Sequence, residues 1–157
     1  MATTFLSLGS NIGHKRRNII TASALLAERA GDILALSALY ETEPWGFESD
    51  NTFLNAAIML ETSLSPEDLL SLTMQIEKEM GRTTKTNGQY QDRIIDIDIL
   101  TYDNLIMETP QLTLPHPHMH ERVFVLEPLS EIAPGLIHPI LRKSISQLLQ
   151  SLSVSIK

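Results

Sequence analysis

The sequence predicts an α+β fold: a ferredoxin-like α/β sandwich with a mainly antiparallel sheet, flanking helices and a C-terminal elaboration, all in one domain over residues 1–157. Three observations lead there. At 157 residues the chain has the usual size of a single hydrophobic core. Hydrophobic residues make 43% of it and charged ones 20%, a globular balance rather than that of a disordered chain. The apolar spacing then switches between period two and period 3.6 in the order strand, helix, strand, strand, helix, strand, which is a split βαβ pattern with helices mainly on one face.

Each element has its own signals. Thr3 to Leu8 is an apolar run closing on Gly9-Ser10-Asn11, and Lys15 to Ala30 has helical spacing that stops at Gly31-Asp32. Ile33 to Tyr40 and Phe53 to Glu61 predict the second and third strands, with Pro44, Gly46 and Asp50-Asn51 in the loop between them. Ser65-Pro66-Glu67-Asp68 combines an N-cap serine, a proline at the first helical position and acids in the positive first turn. Leu69, Leu72, Ile76 and Met80 give that helix its inner face, and Gly81 supplies a stop. After a polar loop from Arg82 to Asp92, Ile94 to Tyr102 is the strongest strand, with a turn at Asp103-Asn104 and an antiparallel return at Leu105 to Met107. Met119 to Ile132 reads as helical, with Pro128 expected to bend or interrupt it, and Ser144 to Leu152 as a short closing helix.

Composition excludes several functions. With no cysteine, there is no disulfide framework and no thiolate nucleophile or zinc ligand. The opening residues lack a basic segment, and no apolar run approaches the roughly 18–20 residues of a membrane helix, so the expectation is a cytoplasmic protein without a membrane anchor. A net charge of -7 without a dense basic patch argues against a nucleic-acid partner.

The segment Arg93-Ile-Ile-Asp96-Ile-Asp98-Ile-Leu100 carries the most chemistry. Strand alternation puts Asp96 and Asp98 on one face and Ile95, Ile97 and Ile99 on the other. Their Cα atoms should lie roughly 6.5–7 Å apart, within reach of a shared metal pair, and hard oxygen ligands favour Mg²⁺. The same pattern would also serve a solvent-facing strand; the nearby Arg93 favours the metal reading, because carboxylate-held metals and guanidinium forks together suit polyphosphate transfer. His116, His118 and His120 form a second polar cluster. Zinc is disfavoured there without cysteine, and His116 with Arg122 suits phosphate instead. Asn55 shares a strand face with Phe53 and Ala57, an odd place for an amide unless it pairs with backbone or with a flat, nitrogen-rich ring that Phe53 could stack on. Gly9-Ser10-Asn11-Ile12-Gly13 lacks the phosphate-loop lysine and reads as a tight turn.

Taken together, LSLGSNIG, YETEPWG, FLNAAIMLE, RIIDIDIL and LPHPHMHERVFVLEPLSEIAP resemble the 6-hydroxymethyl-7,8-dihydropterin pyrophosphokinase family over residues 5 to 139. The resemblance implies a monomer in folate synthesis that passes the β,γ-diphosphoryl group of ATP to the hydroxymethyl oxygen of the pterin and releases AMP. It implies two Mg²⁺ ions on Asp96 and Asp98, and Arg82, Arg93, His116 and Arg122 on the triphosphate, with Leu70 and Glu77 near the nucleoside. Thr42 and Asn55 would hydrogen-bond the pterin, Phe53 and Phe124 would sandwich it, and Gly9, Pro44 and Trp45 would close the pocket. Residues 83–92, a polar run without apolar period bracketed by Arg82 and Arg93, are themselves expected to form a mobile loop that closes over ATP and then favours pterin binding. The sequence departs from the family at Gln89-Tyr90-Gln91-Asp92 before Arg93, at Thr84 in place of a second loop arginine, and at Phe53 in place of a tyrosine. A small-molecule sensor of the same topology and a metal-dependent phosphoester hydrolase are the competing functions; the acid pair argues against the first, and a need for an organic acceptor would separate the second.

Overall fold

The structure is a computed structural model that describes residues 1–42, 52–81 and 94–156, with side chains to residue 152. One antiparallel sheet holds β1 (Ala2–Ser10), β2 (Gly31–Leu36), β3 (Tyr40–Thr42), β4 (Phe53–Thr62) and β5 (Asp96–Tyr102), in the order β2-β4-β1-β5 with β3 also on β4. This is the predicted ferredoxin-like arrangement. The helices are α1 (Lys15–Arg29), α2 (Pro66–Glu79), α3 (Val123–Ile132) and α4 (Ile145–Ile156).

Period-two alternation sends side chains into two separate cores. Leu6, Leu8, Ala56, Ile58, Ile97 and Ile99 pack with Ile19 and Leu26 of α1 and Leu69 and Ile76 of α2. Phe5, Ala57 and Leu100 pack on the opposite face with Val125, Leu126 and Leu129 of α3 and with Ile145 and Leu148 of α4. Helices therefore cover both faces rather than mainly one, and the C-terminal elaboration is the second layer.

The helix signals work as read at α2, where Ser65 Oγ accepts from the Asp68 amide at 3.1 Å and Gly81 stands at φ +111, a conformation that disfavours any side chain. The C-terminal helix runs a turn longer than expected. Its start is a capping box: Ser144 Oγ accepts from the Gln147 amide at 3.1 Å while Gln147 Oε1 accepts from the Ser144 amide at 2.9 Å.

Three segments differ from expectation. The run Ile33 to Tyr40 is two strands, broken where Ser37 bonds Ala57 through both its backbone amide and its hydroxyl, each at 2.9 Å. Pro128 lies inside α3 without breaking it; the interruption falls earlier, at Arg122, between a 3-10 turn over Met119–Glu121 and the helix. Nor does the chain return along β5 at Leu105 to Met107. Instead, β6 (Met107–Glu108) pairs with β7 (Thr113–Leu114) as a separate ribbon. The outer edge of β5 is already engaged, since Glu77 accepts from the Ile97 amide at 2.8 Å and Leu100 accepts from the His116 amide at 2.8 Å. Among the described residues, no helix is long and apolar enough to cross a membrane.

Candidate active site

The sheet register assembles the site. Gly9 of β1 is opposite Asn55 of β4 on one side and Asp96 of β5 on the other. Ser7 likewise stands between Ala57 and Asp98. With strands about 4.8 Å apart, the Asn55 and Asp96 backbones are roughly 10 Å apart across a residue with no side chain. Ile95, Ile97 and Ile99 are buried in the α1 and α2 core while Asp96 and Asp98 are half-buried, as alternation requires.

Gly9 must be small. A Cβ there would stand 3.2 Å from Asn55 Oδ1 and 3.5 Å from Phe53 Cδ1. Asn55 is 2% exposed, and its Nδ2 donates to Thr42 Oγ1 at 2.7 Å, which turns its carbonyl toward the notch above Gly9. Thr42 pairs with Phe53 in the β3–β4 register. Asn55, Thr42, Phe53 and Gly9 thus meet on the sheet face covered by α3, whose first turn carries Phe124. The Arg122 guanidinium carbon lies 5.7 Å from the centre of the Phe124 ring, a cation–π distance.

A second space lies at the outer edge of β5. A cleft of about 220 Å³ is lined by Leu70, Thr73, Met74 and Glu77 of α2, Asp98 of β5, Thr109 to Thr113 of the ribbon, and His116. His116 Nδ1 accepts from the His118 amide at 3.1 Å, so its neutral ring carries the proton on Nε2 and can donate from there. His118 turns instead to Glu121 at 3.1 Å. Asp98 belongs both to this cleft and to the acid pair beside Gly9, so the two spaces adjoin at β5.

Two hard carboxylates on one strand suit Mg²⁺, which commonly takes one or two protein carboxylates and completes its shell with water and phosphate oxygens. Among the described residues there is no group of three or more His, Asp or Glu fit to hold a metal by protein ligands alone.

Residues 5–134 match the family model for 7,8-dihydro-6-hydroxymethylpterin-pyrophosphokinase. The chain belongs to this family. It is 51% identical over 141 residues to the 2-amino-4-hydroxy-6-hydroxymethyldihydropteridine pyrophosphokinase of Porphyromonas gingivalis, covering 88% of this chain and 95% of that one. The pyrophosphokinase of Aquifex aeolicus is 42% identical over 147 residues, 94% of this chain and 90% of the relative. Among solved structures, the wild-type HPPK-DHPS of Plasmodium falciparum with pteroate superposes with a TM-score of 0.81 at 17% identity, over 99% of this chain and 45% of that one. At that identity the match bears on the fold alone.

Of the residues expected to serve the pyrophosphokinase reaction, Pro44, Trp45, Arg82, Arg93 and the loop 83–92 lie outside the described residues. Of the others, Gly9, Thr42, Phe53, Asn55 and Phe124 lie about the sheet face, with Arg122 against the Phe124 ring, Leu70, Glu77 and His116 lie about the cleft, and Asp96 and Asp98 stand on β5 where the two spaces adjoin. The ribbon wall of the cleft, Thr109 to Thr113, was not foreseen. Its only sequence signal is the proline at Pro110 between two extended dipeptides, too short to register as strands.

Proposed function

We propose that the chain transfers the β,γ-diphosphoryl group of ATP to the hydroxymethyl oxygen of 6-hydroxymethyl-7,8-dihydropterin, releasing AMP, in folate biosynthesis. The observation that carries it is the register of Gly9 with both Asn55 and Asp96, which sets a slot for a flat ring beside an acid pair.

In this reading Asn55 and Thr42 meet the polar edge of the pterin, Phe53 and Phe124 enclose its faces, and the notch at Gly9 admits the ring edge. Leu70 and Glu77 flank the nucleoside in the cleft, and His116 Nε2 donates to the triphosphate. Arg122, 4% exposed and beside the Phe124 ring, would bring a weakly screened positive charge to the triphosphate. Arg82 and Arg93 add guanidinium forks on the strength of the sequence alone. Asp96 and Asp98 would hold two Mg²⁺ ions, which when bound neutralise and align the phosphate chain. The pterin oxygen attacks the β-phosphorus, the bond from that phosphorus to the α,β-bridging oxygen breaks, AMP leaves and the hydroxyl proton passes to solvent. The protein's share is alignment and charge, as phosphoryl transfer requires. A cytoplasmic monomer completes the reading.

Chromatography of the nucleotides tests it. AMP should form only when Mg²⁺, ATP and the hydroxymethyl pterin are all present. ADP as the sole nucleotide product would mean transfer of the γ-phosphoryl group and would overturn the reading.

A further inference from the structure

One carboxylate outside both spaces joins two supports of the slot. Glu131, in the last turn of α3, accepts from the Ala38 amide with both oxygens, at 3.1 and 3.1 Å, and from the Tyr40 hydroxyl at 2.5 Å. Ala38 lies in the break between β2 and β3, and Tyr40 opens β3. The break is already fixed to the sheet, because Ser37 bonds Ala57 of β4 through its amide and hydroxyl. Glu131 fixes the same corner to the helix above.

That corner governs the slot. Two residues beyond Tyr40 is Thr42, the hydroxyl that Asn55 donates to, and Tyr40 itself is in register with Asn55. On the other side, Phe124 precedes Glu131 by seven residues on α3. Seven residues make almost two full turns and about 10 Å, so the two side chains leave the helix on nearly the same side. One end of that side carries the ring above the slot; the other grips the strand that forms its floor. The apolar contacts of Val125, Leu126 and Leu129 hold α3 at its distance from the sheet but are non-directional. They do not by themselves fix its position along or about its own axis. A carboxylate bonded to two donors on the β2–β3 corner does.

We propose that Glu131 is a positioning residue that holds α3 in register with the β2–β3 corner and so sets the gap between Phe124 and the Thr42, Asn55 and Phe53 floor. The inference rests on the pterin reading of that slot. Tyr40 remains a donor throughout the neutral range, since its bond to Glu131, with burial second, raises its pKa to about 12.

Steady-state kinetics and calorimetric titration of the pterin test this on the full chain, with Glu131→Ala, Glu131→Gln and Tyr40→Phe. Glu131→Ala should raise KM and Kd for the pterin about tenfold, the scale of losing charge-assisted hydrogen bonds, while kcat at saturation and KM for ATP change by less than about twofold. Glu131→Gln keeps one acceptor oxygen and should recover part of that loss. Tyr40→Phe should weaken pterin binding too, and its effect should not add fully to that of Glu131→Ala. Unchanged pterin affinity in Glu131→Gln and Tyr40→Phe, both mild enough to fold, would overturn the proposal. So would a parallel fall of kcat and of both substrates' affinities, which is the mark of general loosening. The titration separates this from the assigned reaction: a wild-type chain that bound pterin without turnover would refute the reaction while the variants still reported on the slot.

Discussion

Glu77 Oε2 accepts a 2.8 Å hydrogen bond from the backbone amide of Ile97, the residue between Asp96 and Asp98. A helix that lines the cleft thereby holds the middle of the acid pair. β5 is the outer strand of the sheet, and this amide points away from β1, where a strand edge would otherwise be open. Glu77 is 5% exposed, so the bond is sheltered from water.

Glu77→Ala should therefore act on the strand as well as on the cleft. Leaving a buried amide unsatisfied costs about 1–3 kcal/mol, whereas Glu77→Gln retains an acceptor and should lose less. Denaturant unfolding of the two variants measures the difference. Turnover should follow the same order, with Ala below Gln. Equal stability of Ala and wild type would show that the bond contributes nothing to holding β5.

Much of this was legible in the sequence because it depends on local periodicity. The Asp96, Asp98 and Ile95, Ile97, Ile99 alternation needs only a strand, and the Ser65 cap and Gly81 stop need only a helix. What stayed hidden depends on pairing between distant segments. The split of Ile33 to Tyr40 follows from Ser37 reaching Ala57, and the failed return at Leu105 to Met107 follows from Glu77 and His116 occupying the edge of β5. The row Asn55, Gly9, Asp96 is likewise invisible until register is known, since a one-residue slip would move Asn55 to the opposite face.

Gly9→Ala tests that row. The added methyl would meet Asn55 Oδ1 at 3.2 Å and Phe53 Cδ1 at 3.5 Å, so both must give by a few tenths of an ångström and the notch fills. Pterin affinity should fall by about tenfold or more, and ATP affinity by much less, because the methyl stands on the slot side of the sheet. Titration of each ligand separately checks it. Equal loss for both ligands would place the effect in the fold instead.

Stability should weaken in mild acid through His138. Its Nδ1 accepts from the amides of Ile140 and Leu141 at 3.2 and 3.0 Å, and burial, then the neighbouring His120, lower its pKa from the ordinary 6.5. The unfolded chain takes up this proton near pH 6.5 while the folded chain resists, so below 6.5 the unfolded state binds more protons and the unfolding free energy falls. The loss ends once pH passes below the folded pKa; above 6.5 the contribution is complete. In His138→Asn the side-chain oxygen can still accept the turn amides but cannot titrate. Denaturant midpoints across this range should vary less with pH in that variant, and an identical pH profile in both proteins would remove His138 as the cause.

The acid pair gives the sharpest separation of function from fold. Asp96 and Asp98 are half-buried on the face away from the Ile95, Ile97 and Ile99 core, and the strand is held by its ladder to β1 and by the Glu77 bond. Asp96→Ala or Asp98→Ala should leave the unfolding midpoint near wild type. Turnover at saturating Mg²⁺ should nevertheless fall by at least about a hundredfold, since each variant would lose a metal ligand and with it the charge neutralisation that the metal would supply in the transition state. Calorimetric titration with Mg²⁺ and a non-hydrolysable ATP analogue adds a readout independent of turnover. If the carboxylates bind metal, the Mg²⁺-dependent part of nucleotide affinity should shrink in each variant, while affinity measured without Mg²⁺ should hold or rise, because a negative charge facing the phosphates has gone. A variant that kept near wild-type turnover, or the same gain in affinity on adding Mg²⁺, would remove that aspartate from the metal site.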